Sequence, residues 1–163
     1  MGLMSLPALM RTMIANSSTF QTLVGEPGDA TAAAEYVFFG RDSSVPTSGT
    51  FAIVGDAPDG AFALSELTSG AGIAKYNLGR RAEFVLRQLV ASDTAAAATT
   101  FRDNFGTIIQ HISALEGSKI GAVAMPVFSG IEHRMDSPGA FRILQGTSKG
   151  YQLQAIFTDK AFA

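Results

Sequence analysis

The segment 92–117 constrains the fold more than any other part of the chain. Its apolar residues recur at spacings of four and three, at Phe101, Phe105, Ile108, Ile112 and Leu115. This spacing is typical of a helix with one apolar face. Ser92 or Asp93 is placed to cap the start, and Gly117 can adopt the left-handed conformation that ends many helices. We therefore predict a helix over about 93–116 that packs its apolar face on a core.

Strand-like segments flank this helix, which favours a helix lying across a sheet over a helix bundle. RAEFVLRQLV (81–90) precedes it, and IGAVAMPVF (120–128) follows it, with Pro126 indicating an edge or a bulge. Further strands are predicted at 35–39, 131–135 and 151–157. In the last of them Tyr151, Leu153, Ala155 and Phe157 share one face. The predicted fold is α+β, with a mixed, mostly antiparallel sheet.

An amphipathic helix is predicted at the N-terminal end, over about 5–24. Ser5 and Pro7 are typical of a helix start. We expect the helix to weaken at 16–18, to resume over 19–24 and to end at Gly25, and we expect 29–34 to be a connector. The buried face would consist of Leu6, Leu9, Met10, Met13 and Ile14.

The segment 40–81 has a different character, with Gly, Ser, Thr, Pro and Asp between short apolar pieces. It predicts a hairpin plus a long flexible excursion within a single domain that spans 1–163. Residues 68–79 contain too many glycines for a helix and too little periodicity for a strand. We expect this region to order on assembly and to be the first cut by a protease in the free subunit.

The composition favours a protein that associates. Of the 163 residues only 16% are charged and 47% are hydrophobic, which leaves few charges to cover a surface. A net charge of −2 argues against a nucleic-acid coat. The chain has no cysteine, so thiolate metal sites and disulfides are excluded. It also has no apolar stretch of the ~20 residues that a membrane helix needs.

One pentapeptide raises the possibility of catalysis. Residues 146–150, GTSKG, match the G-x-S-x-G pattern of a nucleophile elbow. The pattern leads into a predicted strand, and both histidines precede it, so a turn is the better interpretation. A small serine hydrolase that uses Ser148 stays an alternative.

The other candidate groups favour structural roles. His111 lies beside the apolar face of the helix, where a half-buried, hydrogen-bonded histidine is expected, and His133 lies in a predicted strand as an outward residue. Gly70 and Gly72 lack the context of a dinucleotide-binding loop, and 56–60 and 136–139 are typical of tight turns. We predict no catalytic, cofactor-binding or metal-binding residues and no enzymatic activity.

The order of elements resembles that of the tail terminator and head–tail joining (neck) proteins of long-tailed bacteriophages. Such chains open with a helix like LPALMRTMIANSSTFQTLVG, which ends in Leu-Val-Gly, and close with a Gly-x-Phe-Arg turn like GAFR (139–142) before an alternating strand. The resemblance covers most of the chain as topology. The chain departs from the pattern in the longer excursion at 40–80 and in the absence of a proline-rich link before the first strand.

The resemblance implies a virion structural protein that caps the tail tube and joins it to the head. Its partners would be copies of itself in a ring, commonly a hexamer, and the tail-tube and neck or connector proteins, with DNA passing through the lumen and no membrane involved. It would be assembled in the host cytoplasm and would reside in the virion tail or neck. A tail-tube or head-completion subunit is the alternative within this class.

Subunit contacts in such a ring would be heterologous. We expect them in the loops 41–50 and 68–81, with candidate interface residues Arg41, Asp42, Val45, Pro46, Lys75, Tyr76, Arg80 and Arg81.

Overall fold

A computed structural model describes residues 5–40, 45–56, 62–67, 75–133, 142–145 and 148–160. The helices in these ranges are α1 (Leu6–Ala15), α2 (Ser18–Val24), α3 (Ala30–Ala34) and α4 (Ala95–Ala114). The strands are β1 (Val37–Phe39), β2 (Gly49–Asp56), β3 (Phe62–Leu67), β4 (Lys75–Val90), β5 (Lys119–Ile120), β6 (Val123–Ala124), β7 (Phe128–His133), β8 (Arg142–Gln145) and β9 (Ser148–Asp159).

The strands form one main sheet and one small hairpin. The main sheet has the order β1-β2-β4-β9-β7, with β3 pairing β4 and β8 pairing β9. Only β1 and β2 run parallel; every other described pairing is antiparallel. Among the described strands, β5 and β6 pair only with each other. The α+β fold with a mixed, mostly antiparallel sheet is therefore confirmed.

The long strand β4 organises this sheet. Along one edge it pairs first with β3 and then with β2, so that Phe62 lies opposite Arg80 and Asp56 opposite Ala82. Strands β2 and β3 are thus successive parts of one arm of a long hairpin, and β4 is the other arm. On the opposite edge β9 reaches β4 only as far as Arg81. We call the two-stranded part beyond that point, 62–67 with 75–80, the hairpin extension.

The helices cover one face of the sheet, where the main core lies. The alternating residues Ala82, Phe84 and Leu86 of β4 are fully buried there. The ring of Phe84 stacks on Phe105 of α4, with centroids 5.5 Å apart. The predicted alternation in β9 is confirmed, since its core residues Tyr151, Leu153, Ala155 and Phe157 are all buried. Each buried Phe contributes about 1.5–3 kcal/mol, and most of the buried apolar side chains belong to this one core cluster.

The long helix is where the sequence predicts it, but neither predicted residue caps it. Thr94 is the N-cap, and its side chain accepts from the Ala97 N–H at 3.1 Å. The Asp93 carboxylate instead accepts a hydrogen bond from the Tyr151 hydroxyl of β9 at 2.7 Å. At the other end Gly117 has a φ of 69°, which confirms its left-handed conformation.

The N-terminal helical region is divided as predicted. Ser5 caps α1, whose buried residues include the five predicted ones. Ser17 then caps α2, and Gly25 ends it with a φ of 83°. The prediction that 29–34 is a connector is wrong, because Asp29 accepts from the Ala32 N–H at 2.9 Å and caps the short helix α3.

The prediction of one strand over 120–128 is also wrong. The chain instead forms the β5–β6 hairpin, which turns at Gly121 with a φ of 62°, and re-enters the main sheet only at Phe128. The turn at Gly121 interrupts the strand, and Pro126, which has no N–H for a sheet ladder, lies in the stretch 125–127 between β6 and β7. The next predicted strand, 131–135, is part of β7 as far as His133, and 134–135 lie outside the described residues.

Candidate subunit interface

The predicted interface residues divide between loop and strand. Val45 and Pro46 are half-buried in the chain leading to β2, while Arg41 and Asp42 lie outside the described residues. The prediction of a loop over 68–81 is wrong for its second half, because Lys75, Tyr76, Arg80 and Arg81 all belong to β4. The cause is cross-strand pairing: β3 supplies hydrogen-bonding partners along 75–80 in spite of Gly79, which lies opposite Ala63. The flexibility expected for 40–81 stays a prediction.

Arg81 lies where the hairpin extension leaves the sheet. Its guanidinium is 3.5 Å from the carboxylate of Glu132 on β7, two strands away. The Arg81 side chain is 18% exposed and that of Glu132 is 73% exposed, so this is a surface ion pair of about 0–1 kcal/mol. It joins β4 to β7 across β9 within one subunit.

The face of the sheet opposite the helices, which we call the outer face, carries a row of hydrogen-bonded polar side chains. The Arg87 guanidinium donates to Gln152 Oε1 at 2.6 and 3.1 Å, directly across the β4–β9 register. The amide of Gln154 donates to the carboxylate of Glu83 in the same strand pair. These bonds satisfy the polar groups of a half-buried surface.

The outer face also holds an apolar cluster that sequence reasoning missed. Phe51 of β2 is fully buried, although it lies opposite Arg87 in the register and hence away from the main core. Its ring meets Phe38 edge-on at 5.9 Å, and the Arg87 guanidinium lies 5.8 Å from its centroid. A signal was present: FAIV (51–54) is uninterruptedly apolar, which is typical of a strand buried on both faces.

Exposed large apolar side chains lie at both edges of the main sheet and in the β5–β6 hairpin. Among the described residues they are Phe39, 49% exposed, and Val123 and Val127, 36% and 46% exposed. Phe39 ends β1, the strand at one edge of the sheet, and Val127 precedes β7, the strand at the other edge. No spacing in the sequence distinguishes these residues from core residues.

Opposite charges accompany the two apolar sites. Beside Phe39, Glu35 is 78% exposed and its carboxylate lies 3.6 Å from Arg11, whose guanidinium is 5.5 Å from the Phe39 ring centroid. Beside Val127, the exposed Lys160 donates its backbone N–H to the Val127 carbonyl at 2.7 Å. We call Arg11, Glu35 and Phe39 the β1 edge patch. The β7 edge patch consists of the residues Lys119, Val123, Val127 and Lys160.

The histidine in α4 has the structural environment that the sequence predicts. The Nδ1 atom of the half-buried His111 lies 2.8 Å from the hydroxyl oxygen of Ser17. Ser17 is fully buried and also accepts from the Phe20 N–H at 3.3 Å, so the pair joins the start of α2 to α4. His133 is the last residue of β7. Nowhere in the described ranges do three or more His, Cys, Asp or Glu side chains form a group that could hold a metal ion.

The candidate nucleophile lies at the start of a strand. Ser148 is the first residue of β9 and pairs with Gln145 of β8, whereas a nucleophile elbow joins a strand to a helix. The last glycine of the pentapeptide has a packing role: a Cβ on Gly150 would lie 2.3 Å from the backbone oxygen of Gln88. Residues 146–147 lie outside the described part of the chain, as do most of the predicted turn 56–60, the glycines at 70 and 72, and 136–139.

No helix in the described part of the chain is long and apolar enough to cross a membrane. Comparison with known proteins gives no family: no protein-family model and no curated protein sequence matches this chain.

Proposed function

We propose that this protein is a virion structural subunit of a long-tailed bacteriophage, a tail terminator or neck protein that forms a ring on the tail tube. The ring stops tube polymerisation, presents a docking surface for the filled head and leaves a lumen through which DNA passes. Its partners are copies of itself and the adjoining tail-tube and neck proteins. This function is mechanical and uses no catalytic residue.

The observation that carries the proposal is the order of elements. The chain begins with two capped helices, the second of which ends in Leu-Val-Gly. A long hairpin, a 20-residue helix and an alternating final strand follow. This is the order on which the resemblance to terminator and neck proteins depends. The helices of this order cover one face of the sheet, and the hairpin extension lies beyond the last β4–β9 pair.

The hairpin extension supports a role in assembly. Over 75–80, β4 pairs only with β3 among the described strands. A two-stranded ribbon is marginally stable in water by itself, so contact with a neighbouring subunit would stabilise it. A charge-poor chain would bury further surface in the same contacts. In a ring each subunit offers such an element to one neighbour and receives one from the other.

The test is the native mass of the purified protein over a wide concentration range, from light scattering coupled to size exclusion, with electron micrographs of the large species. We expect a discrete closed ring whose mass stays constant once it has formed. Open-ended stacks would indicate a tail-tube subunit instead. A monomer at the highest concentration reached would contradict the proposal.

A further inference from the structure

We infer that neighbouring copies meet head to tail, with the β1 edge patch of one copy against the β7 edge patch of the next. The inference rests on the proposed ring for the existence of an oligomer and adds which surfaces join. It assigns Phe39 and Glu35 to one side of the contact, and Val127, Val123, Lys119 and Lys160 to the other.

The position of the patches in the fold fits a head-to-tail arrangement. Strands β1 and β7 are the two ends of the strand order, so Phe39 and Val127 lie at opposite edges of one sheet, while Lys119 and Val123 lie in the β5–β6 hairpin that precedes β7. A contact between two different surfaces leaves one of each unsatisfied at the ends of any open chain of subunits. Closure into a ring satisfies all of them.

Side chains rather than backbone groups make this contact. Strand β1 has only three residues, and Val37 at its start is buried within its own subunit. At the other end of β1 the Phe39 side chain is exposed. The contact therefore needs no sheet that continues from one subunit to the next. In the contact, the valines of the neighbouring β7 edge patch cover the Phe39 ring. Large apolar residues that lose their water at the centre of a contact contribute most of its affinity.

The charges of the two patches favour a contact between unlike edges. Glu35 gives the β1 edge patch an exposed carboxylate, and the β7 edge patch carries the exposed ammonium groups of Lys119 and Lys160. Neither lysine forms an ion pair with another described residue, so both are available to a partner. The Glu35 carboxylate lies 3.6 Å from the Arg11 guanidinium, whose side chain is 32% exposed, so charge does not exclude a contact between two β1 patches. Contact between two β7 patches would bring ammonium groups together, whereas the head-to-tail contact places them near an exposed carboxylate. Charge therefore favours the head-to-tail contact over a symmetric contact of two β7 patches.

The absence of cysteine allows a direct test by crosslinking. Phe39→Cys and Val127→Cys are made singly and together in the full chain and treated with a mild oxidant or a short bifunctional maleimide. We expect neither single variant to crosslink with itself and an equimolar mixture of the two to give covalent dimers. The double variant should give a ladder of covalent oligomers that ends at the ring mass.

The outcomes of this experiment separate the inference from the proposed function. A ring that forms by light scattering but gives no crosslink in the mixture or in the double variant overturns the inference and leaves the ring intact. Crosslinking of Phe39→Cys with itself would indicate a symmetric contact and also overturns it. A protein that stays monomeric contradicts both the inference and the proposed function.

A charge exchange gives a second test that does not depend on the apolar residues. Glu35→Lys and Lys160→Glu each place like charges across the contact, and we expect each to raise the concentration needed for assembly about tenfold, equivalent to about 1.4 kcal/mol. In an equimolar mixture every contact between unlike copies regains an opposite pair. Assembly should then return toward the wild-type concentration, in rings that alternate the two variants.

Asp103→Lys is the matched control for the charge exchange. Asp103 is 67% exposed and lies 3.8 Å from Arg102 on α4, much as Glu35 lies near Arg11, but it belongs to neither patch. We expect its assembly to equal that of wild type. Failure of the mixture to assemble better than its two components would overturn the inference.

Discussion

The two faces of the main sheet are built by the same strands and differ in what covers them. On the helix-covered face, β4 contributes Ala82, Phe84 and Leu86 to one continuous apolar core. On the outer face, the intervening residues Glu83 and Arg87 form hydrogen bonds to Gln154 and Gln152. One face therefore stabilises the fold through apolar burial, while the other combines a small apolar cluster with polar groups that require specific partners.

The largest effect is expected where β4 and β9 approach too closely for a side chain. In Gly150→Ala the new methyl group would lie 2.3 Å from the Gln88 backbone oxygen. The pairing that supports both faces must then shift, and we expect a loss of about 3 kcal/mol or more in the free energy of unfolding, measured by urea denaturation. Gly130→Ala on β7 is the control, because its Cβ would meet nothing within 4 Å. A Gly150→Ala protein as stable as the control would contradict the close approach.

The two faces are compared directly by Phe84→Ala and Phe51→Ala, since both rings are fully buried. Phe84 stacks on Phe105 inside the main core, so its removal leaves a cavity, and we expect a loss of about 3–5 kcal/mol. Phe51 lies in a smaller cluster on the outer face, with Phe38 edge-on and the Arg87 guanidinium beside its ring, and we expect a loss at the lower end of this range, about 3 kcal/mol. Urea denaturation of the two variants measures both losses. An equal or larger loss of unfolding free energy in Phe51→Ala would show that the outer face contributes as much to stability as the main core.

The smallest effect concerns the polar row of the outer face. Arg87→Met keeps much of the side-chain volume over Phe51 but removes the two hydrogen bonds to Gln152. We expect a loss of about 1 kcal/mol, measured as a shift of the denaturation midpoint. Arg102→Met is the control, because the Arg102 ion pair with Asp103, at 3.8 Å, lies on the exposed surface of α4, and its loss should stay below about 0.5 kcal/mol. Equal shifts in the two variants would show that the outer row contributes no more than a surface pair.

The helix-covered face was the predictable part of the fold. The spacing of Phe101, Phe105 and Ile108 and the alternation in β9 are local periodicities, and both residue sets are buried as expected. The outer face was not predictable in the same way, because the burial of Phe51 depends on Phe38 and Arg87, which come from two other strands.

The candidate interface was predicted less well than the fold. The loop predicted over 68–81 includes the first residues of β4. The glycine-rich sequence there has no strand pattern, because the strand forms only through its pairing with β3. The β1 and β7 edge patches were not predicted at all. Their residues are ordinary apolar and charged types, and only the strand order places them at opposite edges.

The sequence by itself determined the fold class, the long helix, the two N-terminal helical pieces and the buried face of β9. Each is encoded by spacings of a few residues, by caps and by glycines, so no distant partner is needed to recognise it. Only the tertiary structure decided the strand order, the long hairpin, the role of Gly150 and the positions of Phe39 and Val127. These depend on contacts between residues far apart in the chain, whose geometry local sequence patterns do not contain.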